Sequence, residues 1–280
     1  MNISINGKAA DITIENEKTV GDILSGLEKW LDGSGNRLSG LVIDGVMIGA
    51  ASVGECFSLE ISGVTEMDIL VSSWPELAAQ ALMELGKVST IIKDAVFSSR
   101  GEIISAWDQS PAASFLQTEI PDMLNYAKQA FAGSISASEL GLLTEERLRE
   151  LENPKAETLA MKELINSIIS RMTDLPLDMQ TGKDGRAAET IQIFSGTAEK
   201  LFRLLGILTY KGLSAEDFTV DGMTVKSFND SFGSTLNELL SAYNSQDTVL
   251  IGDLCEYELA PRISKLYQAL SEALTDRFPS

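Results

Sequence analysis

Met67-Asp-Ile-Leu-Val71-Ser-Ser73-Trp-Pro-Glu76 joins two kinds of chain. Met67, Ile69 and Val71 recur at every second position, the period of a strand with one buried face. Ser73-Trp-Pro-Glu76 then has the form of a capping box with proline inside the first helical turn. Ala78, Ala81, Leu85, Val88, Ile92 and Ala95 follow at three- and four-residue steps, the period of a helix face. The switch predicts an α+β protein, with a small sheet domain over 1–72 and a mostly α-helical bundle over 73–280.

Upstream of the switch, short β-type runs are punctuated by turns. Ile3 and Ile5 alternate with polar neighbours, Asn6-Gly7 is a type I′ hairpin signal, and Ile12 and Ile14 alternate again. Thr19 can cap a helix with Asp22 in its first turn, and Val20, Ile23, Leu24, Leu27 and Leu31 supply one apolar face. Asp32-Gly-Ser-Gly35 reads as a loop, as does Gly33 to Gly40 as a whole. Leu41-Val-Ile43, the turn Asp44-Gly45 and Val46-Met-Ile48 read as two further strands. Hairpin, helix, returning strands is an order that resembles the β-grasp fold of ubiquitin and the bacterial sulfur-carrier proteins. Sulfur carriers are activated at a free C-terminal Gly-Gly. Here the segment runs on into helices, so the resemblance implies the fold without that chemistry.

Downstream, Leu116, Ile120, Leu124, Ala127 and Phe131 form a second helix face. Residues 134–155 are charged and Ser-rich, with a short helix expected at Thr144-Glu-Glu-Arg147. Met161, Leu164, Ile168 and Met172 continue the helical period, and Ile191, Phe194, Ala198, Leu201, Leu205 and Leu208 hold one face for about five turns. Two interruptions separate these helices. Asp174 to Arg186 reads as a flexible connection. Phe218-Thr-Val-Asp-Gly-Met-Thr-Val225 reads as a tiny hairpin around Asp221-Gly222, preceded by a capping box at Ser214 to Asp217. Phe228, Phe232, Leu236, Leu239 and Tyr243 mark a penultimate helix. The last helix, about Asp247 to Phe278, contains Pro261, which cannot donate to the carbonyl of Tyr257, so a kink is expected there. Residues 74–132 and 187–278 each pair a regular helix with a proline-interrupted one, which suggests an internal duplication.

Composition narrows the function. The 280 residues contain no histidine and carry a formal net charge of −19, from 41 acidic and 22 basic side chains. No imidazole is available as general base, metal ligand or pH switch. Nucleic acid and anionic lipid both require cationic surface, so neither is an expected partner. Cys56 and Cys255 stand far apart without CxxC spacing, which argues against a disulfide framework or zinc site. The first residues have no basic or apolar leader character, and no apolar run approaches the roughly 18 residues that span a bilayer. A cytoplasmic protein without membrane insertion is expected.

Few residues suggest chemistry. Asp253-Leu-Cys-Glu-Tyr-Glu258 places Asp253 and Glu256 three apart on one helix face, and with Glu258 they could offer an oxygen-only site to magnesium or manganese. The plainer reading is a solvated acidic face beside Leu250, Leu254 and Tyr257 in the core. Thr181-Gly-Lys-Asp-Gly-Arg186 brings together Gly, Lys and Arg, residue types that contact phosphate, but it lacks Walker A spacing and a preceding strand and reads as a linker. Acidic neighbours disfavour a reactive Cys255 thiolate. Trp74 at the junction, and Tyr257, are the side chains best suited to anchor a partner if they face outward.

The whole plan resembles a set of uncharacterised bacterial proteins. The elements that carry the resemblance are an Asp-Gly turn, a strand running into Ser-Pro-Glu-Leu (here Ser73-Trp-Pro-Glu-Leu77, with a Trp inserted), Asp217-Phe-Thr-Val-Asp-Gly222, and Asp247-Thr-Val-Leu-Ile-Gly-Asp-Leu-Cys-Glu-Tyr-Glu-Leu-Ala-Pro261. The resemblance implies a non-enzymatic helical protein, with the motility or cell-envelope apparatus as its setting. The expected function is therefore a protein–protein interaction module (adaptor, assembly factor or chaperone) that needs no cofactor and binds another protein or a second copy of itself. A divalent-metal-dependent enzyme or metal-binding regulator built on Asp253, Glu256 and Glu258 is the alternative.

Overall fold

The computed structural model describes residues 1–10, 14, 16–31, 35–96, 99–211, 213 and 218–277. The chain forms two compact units, Met1–Leu148 and Arg149–Ser280. The sheet ends at Ser73, where the sequence changes period. The division into units falls further on, inside a helix.

The first unit opens with β1 (Asn2–Ile5), β2 (Lys8–Ala9), α1 (Val20–Leu31), β3 (Asn36–Ile43), β4 (Val46–Gly49) and β5 (Glu66–Ser73). The strands make one sheet in the order β2-β1-β5-β3-β4, with β1 parallel to β5 and the other neighbours antiparallel. This is the β-grasp arrangement. Asn6 (φ 49°) and Gly7 (φ 74°) both take left-handed backbone in the β1–β2 turn, the conformation that Asn-Gly adopts at least cost. The turn is also tied to β5. The Asn6 side-chain amide accepts from the Val71 N–H at 2.9 Å and donates to its carbonyl at 2.8 Å, while Asp68 accepts from the Ser4 hydroxyl and the Gly7 N–H. Val20, Ile23 and Leu24 of α1 cover Ile3, Leu41, Ile43, Met67 and Ile69 to make the core. β3 begins five residues earlier than the loop reading of Gly33 to Gly40 allowed. Its N-terminal half pairs with the long β5 through a bulge between Leu38 and Gly40, so pairing overrides the local glycines. Ile14 is exposed and lies in no strand; Ile12 lies outside the described residues.

The helical part of this unit is α2 (Trp74–Asp94), α3 (Arg100–Asp108), α4 (Pro111–Glu119), α5 (Pro121–Phe131) and the start of α6 (Ala137–Glu152). Glu76 accepts from the backbone N–H and the hydroxyl of Ser73 at 2.8 Å each, which closes the start of α2. The single face expected through Leu116 and Phe131 is carried by two helices, because Pro121 follows Ile120 in a non-helical conformation. α6 is far longer than the turn expected at Thr144–Arg147. Ser136 and Glu139 cap it reciprocally, at 3.1 and 2.7 Å, and Leu140, Thr144 and Arg147 form its buried face. The periodicity is helical, but a threonine and an arginine carry part of it.

The second unit continues with α7 (Pro154–Ala160), α8 (Lys162–Gln180), α9 (Asp184–Tyr210), β6 (Thr219–Val220), β7 (Met223–Thr224), α10 (Val225–Ser245), α11 (Thr248–Asp253) and α12 (Ala260–Arg277). The expected flexible connection over Asp174–Arg186 is not one. α8 continues through Pro176 to Gln180, and only Thr181–Lys183 separate it from α9. β6 and β7 form the small hairpin, with Asp221 (φ 55°) and Gly222 (φ 75°) in its turn; the capping box expected at Ser214 to Asp217 lies outside the described residues. Phe194, Leu201, Leu204 and Leu208 of α9 are fully buried with Met172, Leu175, Phe228, Phe232, Leu259 and Leu266. Phe194, Phe202, Phe228 and Phe232 meet in pairs with ring centroids 5.5 to 6.3 Å apart, within the range of favourable aromatic packing.

Between α11 and α12, Leu254–Leu259 form a π-helical turn, in which the Ala260 N–H bonds to the carbonyl of Cys255. This is how the chain accommodates Pro261: the turn widens instead of kinking sharply.

Leu205 is buried on α9, so Leu205→Ala is expected to lower the unfolding free energy by about 2–5 kcal/mol in a denaturant titration; a loss under about 1 kcal/mol would place that stripe at a surface. The bonds from Ser73 hold the Glu76 carboxyl below its ordinary pKa. Its stabilisation is therefore full above the ordinary carboxylate range and is lost as pH falls through the depressed value. Glu76→Gln is expected to flatten the acid side of the stability–pH curve, and identical curves for the two proteins would mean that the cap contributes nothing.

Candidate interaction surfaces

Trp74 is half-buried and engaged inside its own unit. Its indole Nε1–H donates to Glu119 Oε2 at 2.9 Å and its ring lies 6.4 Å from that of Phe115. Arg37 reaches the same carboxylate at 3.4 Å. One glutamate thus ties β3, the start of α2 and the end of α4, and Trp74 packs where the sheet meets the helices.

Asp253, Glu256 and Glu258 are not assembled as a metal site. Asp253 and Glu256 are exposed, and Glu258 forms an ion pair with Arg262, whose guanidinium also donates to the hydroxyls of Ser231 and Thr235. Among the described residues, no group of three acidic or thiol side chains could hold a metal ion. Tyr257 is not core either: it is 67% exposed. Read as an unbroken helix, Leu250, Leu254 and Tyr257 share a face. The buried face runs instead through Ile251, Leu254, Cys255 and Leu259, and Tyr257, two residues on from Cys255, lies on the opposite side.

Burial pushes the Cys255 thiol up to about 12. Desolvation, rather than the acidic neighbours, makes it inert.

The cations of Thr181–Arg186 are spent on internal carboxylates. Asp178, buried near the end of α8, has Arg186 Nε 2.8 Å from one oxygen, as an ion pair without a well-directed hydrogen bond, and Lys183 Nζ 3.6 Å from the other. Arg186 also reaches Asp174 at 3.5 Å. A larger ionic cluster lies deeper. Arg203 of α9 binds the buried Glu150 carboxylate through two bonds, at 2.9 and 3.1 Å, and Lys200 reaches Glu157 at 2.8 Å. Its members lie up to 53 residues apart, a distance over which no local period could have paired them. Ser136-x-x-Glu139, by contrast, was a visible cap signal for α6.

β4 closes one side of the sheet, and among the described residues it pairs only with β3. It has no charge and no proline, and Val46 and Met47 are 64% and 68% exposed. Edge strands usually carry a lysine, a proline or a bulge that discourages further pairing. This edge has none of these. No helix among the described residues is long and apolar enough to cross a membrane.

The architecture defines an α+β protein with an N-terminal β-grasp sheet and a helical C-terminal part. Residues 1–73 match the family described as the TP0873 N-terminal domain, and residues 158–269 match a domain of unknown function, DUF8042. Each match covers one part of the chain, sheet or helices. No curated protein and no solved structure matches the chain.

Cys255 is buried and Cys56 only partly so. An alkylating reagent is expected to modify at most one thiol per native chain and two after denaturation. Rapid labelling of both in the native protein, read by intact mass, would contradict the buried placement of Cys255.

Proposed function

We propose that this chain is a non-enzymatic protein–protein interaction module, an adaptor or assembly factor of the bacterial cytoplasm, and that its β-grasp sheet binds a partner by strand addition. The β4 edge carries the reading. Among the described residues its outer backbone donors and acceptors have no strand partner and lie next to exposed Val46 and Met47, the combination that an added strand uses for affinity and specificity. Two free cysteines suit a reducing compartment. The net charge of −19 opposes pairing between two copies and favours a partner with basic residues.

Crosslinking of the full chain in native extract, followed by mass spectrometry, tests this. A stoichiometric partner crosslinked at Val46–Gly49 is expected. Met47→Lys should weaken that complex at least about tenfold, since a charge on an edge strand opposes further pairing. Circular dichroism should be unchanged, because the side chain is exposed. A partner-free protein that turns over a small substrate would overturn the proposal.

A further inference from the structure

The helical segment before Pro261 carries a second exposed surface. Along α11 and the π turn, Ile251, Leu254, Cys255 and Leu259 face the core, while Val249, Asp253, Glu256 and Tyr257 lie exposed on the opposite side. Val249 is 71% exposed and Tyr257 67%. Gly252 lies against α8, where an added Cβ would stand 3.1 Å from the Pro176 ring, so the segment is seated closely on its neighbour. Tyr257 is exposed because it lies on the side of the helix away from the buried Ile251, Leu254 and Cys255, and not because the helix is loosely attached. π turns inside α-helices occur frequently at functional sites.

From these features we infer that the Val249–Asp253–Glu256–Tyr257 face docks a cationic amphipathic helix of a partner protein. Val249 and Tyr257 are about 12 Å apart along the axis at 1.5 Å per residue, matching two apolar side chains two turns apart on a partner helix. Between them, Asp253 and Glu256 form no ion pair or hydrogen bond among the described residues, and the nearby Arg262 is already held by Glu258, Ser231 and Thr235. Lysine or arginine flanking the partner's apolar stripe would complete this pattern. The helical backbone here is internally bonded and offers no edge to a strand, so the occupant is a helix. Charge excludes an anionic membrane and disfavours a second copy of a chain with net charge −19. Tyrosine is among the residues most often dominant at such contacts. The surface is separate from the β4 edge, and the inference does not depend on it.

Fluorescence anisotropy with the full chain and labelled synthetic peptides tests the inference. The probe is a helical peptide of about 18 residues with leucines at i, i+3, i+4 and i+7 flanked by lysines. Its controls have the same composition with the leucine spacing scrambled, or glutamate in place of lysine. The patterned basic peptide is expected to bind at least about tenfold tighter than either control. Tyr257→Ala, and separately Asp253→Asn with Glu256→Gln, should each weaken binding about tenfold, and the second variant should also reduce its salt dependence. These side chains are exposed, so thermal midpoints should not move. Equal binding of patterned and scrambled peptides, or no effect of either variant, would overturn the inference. Light scattering that shows Tyr257→Ala abolishing self-association would also overturn it by making the face a contact between copies. Met47→Lys should leave peptide binding intact. A partner crosslinked only to β4, with no peptide binding, would sink this inference while leaving the proposed function standing.

Discussion

Phe194, Leu201, Leu204 and Leu208 project from one side of α9, and each is almost completely removed from water. α8, α10, the π turn and α12 contribute to the same core, so the second unit is organised around burying this stripe. A fully buried leucine or phenylalanine contributes about 1.5–3 kcal/mol. No individual cap or exposed ion pair in this unit contributes comparably. The remaining sequence choices are adjustments to that burial. Arg203, also on α9, holds the buried Glu150 through two bonds, with Lys200 3.9 Å from the same carboxylate, so this ionic contact favours one register of the packing.

The two proline breaks show one chemical constraint with two outcomes. At Pro121 the preceding Ile120 leaves the helical region and two separate helices result. At Pro261 the chain remains helical by widening one turn. Along that segment Ile251, Leu254, Cys255 and Leu259 are buried while Val249 and Tyr257 lie in solvent.

Much of the fold was legible because its signals are local. The Asn6-Gly7 and Asp221-Gly222 turns, the Ser73-Glu76 cap, and the alternation of Met67 and Ile69 each depend on neighbours within a few residues. Readings failed where distant contacts outweigh local preference. The first half of β3 looked like a loop until β5 paired with it, and Asp174–Gln180 looked flexible until Pro176 found space beside Gly252. The candidate site was less legible than the fold. Periodicity through Leu250 and Leu254 assigned Tyr257 to the core, whereas the buried face follows Ile251, Leu254 and Cys255, a choice that packing against the rest of the unit makes.

What the sequence determined by itself was the α+β class, the hairpins, most helix starts, and the absence of histidine with a strongly acidic balance. Those properties follow from composition and from interactions within one or two turns. Tertiary structure alone decided the sheet order, the pairing of Glu150 with Arg203, the engagement of Trp74 by Glu119, and the exposure of Val46, Met47, Val249 and Tyr257. Whether a side chain is buried depends on what packs over it, and that neighbour comes from elsewhere in the chain.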